Sequence, residues 1–245
     1  MIRIIPSLLL SKKKLVKGTR FSDFKNAGSP VTTISALENQ KADEIFLIDL
    51  DSYKSREKID TEILKKVAEV SSTPISFGGG IDNEFKARKA LTLGADKIFL
   101  NTILFKDKKI IKKIAYSFGS QAIVGGLNIL EKSGQYTLLE DLTGKINPLE
   151  YAKKLEQSGV GELKVTFVNR EGTKEGLDIE YSKKLLKEVK IPIIFEGGIG
   201  NLNDIVMCLK NGIKSIALST IITFNDNNII KIKQHIRNAG FNVRI

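Results

Sequence analysis

The chain has 245 residues, 42% of them apolar, enough to bury the core of one large α/β barrel or two small domains. Its 39 basic and 28 acidic residues leave a net charge of +11, and its single cysteine excludes an internal disulfide. No apolar run reaches membrane-spanning length, because IIPSLLL is short and lysines follow it at once; the N-terminus also lacks the basic–apolar–small order of a secretory signal, so a cytoplasmic protein is expected.

The positive charge suggests nucleic acid, but its distribution does not. Lysines are spread along helical segments such as LKKV, IIKKI, YSKKLLKEV and KIKQHI, tryptophan is absent, and no nucleic-acid motif is present. Solvated helix faces are the simpler reading, with steering of phosphorylated anions as a secondary effect. Neither a nucleic-acid nor a membrane partner is expected.

In chain order, short apolar runs recur at 3–10, 44–50, 74–77, 97–101, 121–128, 162–168, 192–196 and 214–219, and read as eight strands. Amphipathic helical patterns lie between them. DTEILKKVAEV opens on an Asp60 cap and NPLEYAKKLEQSG on an Asn147 cap, while SG and LGADK mark helix ends. Cys208 falls in a helical pattern and reads as a buried small hydrophobe. The lone histidine, His235, lies in the terminal helical stretch KIKQHIRNAGF and reads as an exposed or capping residue.

The chain repeats itself at an offset of 118 residues. Glu44 falls on Glu162, Pro74 on Pro192, Gly79-Gly80-Ile81 on Gly197-Gly198-Ile199, Gly94 on Gly212, and NTI at 101–103 on STI at 219–221. The period is too long for a solenoid unit and suggests a duplicated half-domain. Eight strand-and-helix units in one domain over 1–245 predict an α/β fold, the (β/α)8 TIM barrel, built from two homologous half-barrels at about 1–118 and 119–245. A doubly wound open sheet is the alternative.

In such a barrel the site lies where the strands end. Gly197-Gly198 follow the seventh strand and Ser219-Thr220 end the eighth; glycine lets backbone N–H groups approach a phosphate, and the hydroxyls can donate to it. The first half repeats this with Gly79-Gly80 and Asn101-Thr102. Two phosphate cradles on opposite sides would suit a ligand with a phosphate at each end. The plainer alternative is that these glycines only make tight turns. No metal-ligand cluster and no nucleotide-binding glycine signature is present, so neither metal nor cofactor is expected.

RIIP, VKG (16–18), AGSPV (27–31), FGGGI, GADK (94–97), GSQAIV (119–124), REGTKEG (170–176) and EGGIG together closely resemble the cyclase subunit of imidazole glycerol phosphate synthase, HisF, across essentially the whole chain. The resemblance implies a barrel that receives ammonia from a glutaminase (HisH-like) subunit at its N-terminal face and cyclises a bisphosphate ribonucleotide at its C-terminal face, in a lyase reaction of histidine biosynthesis. It carries a phosphate-binding role to Gly172 as well. It also implies two acid/base aspartates, at the ends of the first and fifth strands. Those positions are Leu9 and Asn128 here, and neither can transfer a proton usefully. Glu196 stands where the family tends to have serine, and Asn169 where it usually has another aspartate. Asp49, Asp51, Glu171 and Asp178 are the nearby groups that could substitute.

At the opposite face the resemblance implies an ammonia gate of four charges, Arg3, Glu44, Lys97 and Glu162, all four retained; Asp96 matches a residue facing the glutaminase. The same ring would persist if it were only a neutral structural plug. Two functional readings stay open. One is a paralogue that binds a glutaminase and delivers ammonia elsewhere, resembling the amidation-associated members of surface-polysaccharide clusters, with an ATP-dependent sugar amidotransferase as further partner. The other is a histidine-pathway cyclase with atypical catalytic residues.

Overall fold

In the computed structural model, which describes residues 1–55, 61–223 and 227–244, the predicted strands close into a barrel. The strands are β1 (Arg3–Ser11), β2 (Lys14–Thr19), β3 (Ser22–Gly28), β4 (Ile45–Asp49), β5 (Ile75–Gly78), β6 (Lys97–Leu100), β7 (Ile123–Lys132), β8 (Gln135–Leu138), β9 (Glu162–Phe167), β10 (Ile193–Glu196) and β11 (Ser215–Leu218). Eight of them, in the order β1-β4-β5-β6-β7-β9-β10-β11, pair in parallel, and β11 returns to β1 with Arg3 opposite Ser215. Closure removes the sheet edge and excludes the open-sheet alternative.

β2, β3 and β8 stand outside that ring. β1 runs past the barrel and folds back on β2, as β7 does on β8, so the two halves share a hairpin as well as their glycines. The lysines that follow the first strand in the sequence form a two-residue turn. Lys12 and Lys13 take φ of 50° and 61°, and Arg20 and Phe21 do the same between β2 and β3. Two successive left-handed residues make the turn that suits a twisted hairpin, which Asn-Gly normally signals. SKKKL carries no such signal.

Helix caps follow the repeat. Asn83 and Asn201 are 118 residues apart, and their side chains accept from the backbone N–H of Lys86 and Asp204. Asn147 caps the helix Pro148–Gln157 as its sequence predicts. The Asp60 cap lies outside the described residues. His235 is half-buried in the last turn of the helix Ile229–Asn238. One lysine of that helix departs from the solvated-face expectation. Lys233 is 1% exposed and donates to the Lys41 carbonyl (2.6 Å) and to Asp43 Oδ1 (2.8 Å). Asp43 Oδ2 in turn accepts from Ile4 N (2.8 Å), so the pair ties the last helix to the first strand.

Two apolar layers result from the period-2 alternation of the strands. Outward residues such as Leu8, Leu10, Leu47 and Ile98 pack under the helices with Ile34, Leu64 and Ile111. Inward residues Ile5, Phe46, Phe99, Val124, Ile194 and Ala217 form a separate cluster inside the barrel. Cys208 is buried under a helix, and its thiol is pushed up to about 12 by burial and by Asp204, which suits packing and not nucleophilic attack. No helix among the described residues is long and apolar enough to cross a membrane.

Candidate functional site

The inward positions form a stack of layers along the barrel axis. At the N-terminal end Arg3, Glu44, Lys97 and Glu162 meet in one closed ring. Arg3 donates to Glu44 (3.2 Å) and to Glu162, and Lys97 donates to Glu44 Oε2 (2.9 Å) and Glu162 Oε2 (2.7 Å). Ser76 Oγ adds a bond to Glu44 (2.6 Å), and Ser215 Oγ accepts from Arg3 (3.0 Å). Burial disfavours the Lys97 charge, but Glu44 and Glu162 outweigh it and raise the pKa; Arg3 is raised against burial in the same way. Two cations and two anions leave the ring neutral.

Above the ring the lumen is filled. Phe46 and Phe99 pack edge to face, their centroids 5.8 Å apart. The Lys164 ammonium lies 5.5 Å from each ring, bonds Glu196 across adjacent strands, and donates to Thr166 Oγ1 (3.2 Å). Lys164 and Glu196 are both buried. Burial opposes the Glu196 charge, yet Lys164, its hydrogen bond and Lys17 together hold the carboxyl below its ordinary range. A second buried pair joins Lys17 of β2 to Glu171. Burial first, and Glu196 second, raise the Glu171 pKa despite Lys17.

The C-terminal end opens on two glycine pairs. Glu171, Gly172, Glu196, Gly197, Gly198, Ser219 and Thr220 line a single pocket of about 10 Å³, room for roughly one water. The larger cleft nearby, about 180 Å³, lies between the β1–β2 hairpin and Ile222-Thr223, with Leu9 and Lys17 in its wall. On the other side Asn101 Nδ2 (2.7 Å) and Asn128 Nδ2 (2.6 Å) both donate to Glu140 Oε1.

The family model described as histidine biosynthesis protein matches residues 3–227 of this chain. The chain belongs to that family. Within it the relatives are HisF proteins. The imidazole glycerol phosphate synthase subunit HisF of Chlorobium phaeobacteroides is 34% identical over 99% of this chain and 98% of its own. That of Pelodictyon phaeoclathratiforme is 36% identical over the same shares. A Campylobacter jejuni protein provisionally named as subunit hisF2 of the same synthase is also 36% identical, again over 99% and 98%.

Against that HisF frame the predicted residues divide. The four ring charges meet in one set of ion pairs. Gly172, Gly197, Gly198, Ser219 and Thr220 also share one pocket. Gly79-Gly80 and Asn101-Thr102 follow the adjacent strands β5 and β6. Every glycine of the two pairs has positive φ, from 64° to 114°. Each also sits against neighbouring backbone: a Cβ on Gly79 would lie 2.0 Å from the Asp49 carbonyl, and one on Gly198 2.1 Å from that of Gly176. Turn packing alone therefore requires glycine there. Asp96 is exposed, but its Oδ2 accepts from Ile75 N (2.8 Å), so half of the carboxylate is bound locally.

The candidate substitute acids are mostly occupied. Asp49 accepts from Asp51 N (2.9 Å) and Ser52 N (3.2 Å) at the start of a helix, and Asp51 accepts from Ser11 Oγ (3.0 Å). Asp178 caps the helix Ile179–Glu188 and accepts from Tyr136 (2.6 Å). Asn169 binds Glu131 N (2.8 Å) through its side chain.

Three polar groups at the candidate site escape the sequence reading: Lys17, Lys164 and Glu140. Lys164 was within reach, because alternation in ELKVTF puts residues 162, 164 and 166 on one face, here the lumen. Glu140 was not, since only the β7–β8 hairpin brings it beside Asn128.

Proposed function

We propose that this HisF-family barrel has lost cyclisation and serves as the ammonia-handling partner of a HisH-like glutaminase. The nitrogen would go to amidation of a nucleotide-linked sugar, acetamido to acetamidino, by an ATP-dependent amidotransferase in surface-polysaccharide biosynthesis. The observation that carries the reading is the pocket at Gly197-Gly198: the Glu171 and Glu196 carboxyls line it, each paired with a buried lysine, and set acidic oxygens where a phosphate would bind. Leu9 and Asn128 add that neither strand end offers a titratable acid. The complete charged ring supports an intact face for the glutaminase. Passage through the lumen requires the layer of Phe46, Phe99 and Lys164 to open.

A second reading, a histidine-pathway cyclase with atypical residues, draws support from the names of the relatives and from the Glu140 carboxyl beside Asn128. The deciding experiment is cyclisation of the bisphosphate ribonucleotide with ammonium salt in place of a glutaminase. The expected result is no turnover and weak or absent binding of the bisphosphate. Turnover by the unaltered chain would establish the cyclase reading instead. A gain of activity in the Leu9→Asp, Asn128→Asp double variant would show that the lost acids were the cause.

A further inference from the structure

Asn101 and Asn128 both face the exit of the lumen. Asn101 lies two residues beyond Phe99, and Asn128 four beyond Val124, on faces whose lower members form the inner cluster. A Cβ on Gly126, between Val124 and Asn128, would lie 2.6 Å from the Phe99 ring and 3.1 Å from Asn101 Cβ, which places the three on one surface. Glu140 reaches between the two amides, and both donate to the same oxygen, Oε1.

Two acceptors of the cluster lack donors. Glu140 Oε2 and Asn101 Oδ1 are both buried, and neither has a hydrogen-bond partner. Buried polar atoms are seldom left unpaired, so a specific pair of them asks for a ligand. A phosphate or carboxylate would set its oxygens against these acceptors. A donor with positive charge completes them.

We propose that Asn101, Glu140 and Asn128 form a binding site for a small protonated nitrogen group, ammonium being the smallest, at the C-terminal exit of the lumen. Oε2 of Glu140 and Oδ1 of Asn101 accept two of its protons. The two amide donors on Oε1 fix the carboxylate so that Oε2 points to the ligand. The site deepens the ammonia-handling reading and rests on it for the origin of the ammonium.

The test is a pH titration of the Glu140 carboxyl by carbon-13 NMR of the full chain, in ammonium chloride against potassium chloride at equal ionic strength, with Glu140→Gln identifying the resonance. In potassium chloride burial, opposed by the two amide bonds and by the backbone N–H of Glu140 itself, raises the pKa. Ammonium is expected to lower it by about half a pH unit, an about threefold change in proton affinity, because a bound cation favours the ionised form. Asn101→Ser, which removes one acceptor and one donor, is expected to abolish the difference between the salts. Identical titrations in the two salts would overturn the site, since either no ion or any monovalent cation would then serve. If Glu140→Gln fails to fold, Glu140→Asp moves the resonance and identifies it equally. Glutaminase stimulation is a separate readout. Ammonium binding without it leaves the site standing and removes the function proposed above; stimulation without ammonium binding does the reverse.

Discussion

Lys164 and Glu196 face each other from neighbouring strands inside the barrel, the ammonium of one bonded to the carboxylate of the other, and neither reaches solvent. A buried pair of this kind need not stabilise the fold over an apolar substitute, but removing one partner strands the other. Glu196→Gln is expected to cost about 3–5 kcal/mol, because Lys164 then keeps a buried charge without a counter-ion. Lys164→Met should cost a similar amount, and the Lys164→Met, Glu196→Gln double variant should recover most of the loss. Urea unfolding of all four proteins measures the coupling. Additive losses would mean that each residue is held by other neighbours.

The ring at the N-terminal face has partly exposed cations, with Lys97 and Arg3 side chains both 22% accessible. Lys97→Ala and Glu162→Ala are therefore expected to lower stability by only about 1–3 kcal/mol. Their larger effect should fall on stimulation of a HisH-like glutaminase, assayed with saturating barrel protein beside melting temperatures. Unchanged stimulation in both variants would reduce the ring to a structural plug.

The lumen layer yields a directional prediction. If ammonia crosses the barrel, Phe99→Ala should shorten the obstruction and raise the fraction of glutaminase nitrogen that emerges at the C-terminal face, at a stability cost of about 3–5 kcal/mol. The measurement is trapping of labelled nitrogen in the assembled complex. An unchanged fraction would show that ammonia leaves by another path.

Glycine at the strand ends can be tested apart from any ligand. A Cβ on Gly198 would meet the Gly176 carbonyl at 2.1 Å, at a φ of +96°, whereas one on Gly212 (φ +83°) meets nothing within 4 Å. Gly212→Ala should cost about 1–2 kcal/mol for the left-handed backbone alone. Gly198→Ala should cost at least about 2 kcal/mol more, from the backbone clash. Equal losses would show that the loop at Gly176 yields.

Acid sensitivity should have an identifiable source in Glu38. Its carboxylate accepts from Ser71 Oγ (2.9 Å), Ser72 Oγ (2.6 Å) and Thr73 N (2.7 Å), joining the helix Pro30–Asn39 to the segment before β5. The Ser72 and Thr73 hydroxyls lead in lowering its pKa from 4.5 to about 2. The folded value is the lower one, so this contribution is present above pH 4.5 and is lost as the pH falls toward about 2. Glu38→Gln should be about 1 kcal/mol less stable at neutral pH, the partly exposed setting screening part of the effect. Chemical unfolding across this range should show the two proteins converging in acid; parallel curves would assign the acid loss elsewhere.

By itself the sequence determined the eight barrel strands and the duplication. Each depends on local periodicity or on residues repeated at a fixed offset, whereas the four charges of the ring were named through the family resemblance. It also determined that positions 9 and 128 carry no acid, since residue identity alone removes proton transfer there. Only the tertiary structure decided what stands beside those positions. Residues Lys17 and Glu171 are 154 apart in the chain, and Lys164 and Glu196 are 32 apart. Their pairing follows from strand order, barrel closure and a hairpin turn built from lysines. Glu196 read alone is a lone carboxylate; beside Lys164 it is half of a buried ion pair. Nor could the chain alone separate the two causes of a repeated glycine turn, a phosphate or a neighbouring carbonyl. That required the 2.0 Å and 2.1 Å approaches at Gly79 and Gly198, which exist only once the loops of adjacent strands are packed together.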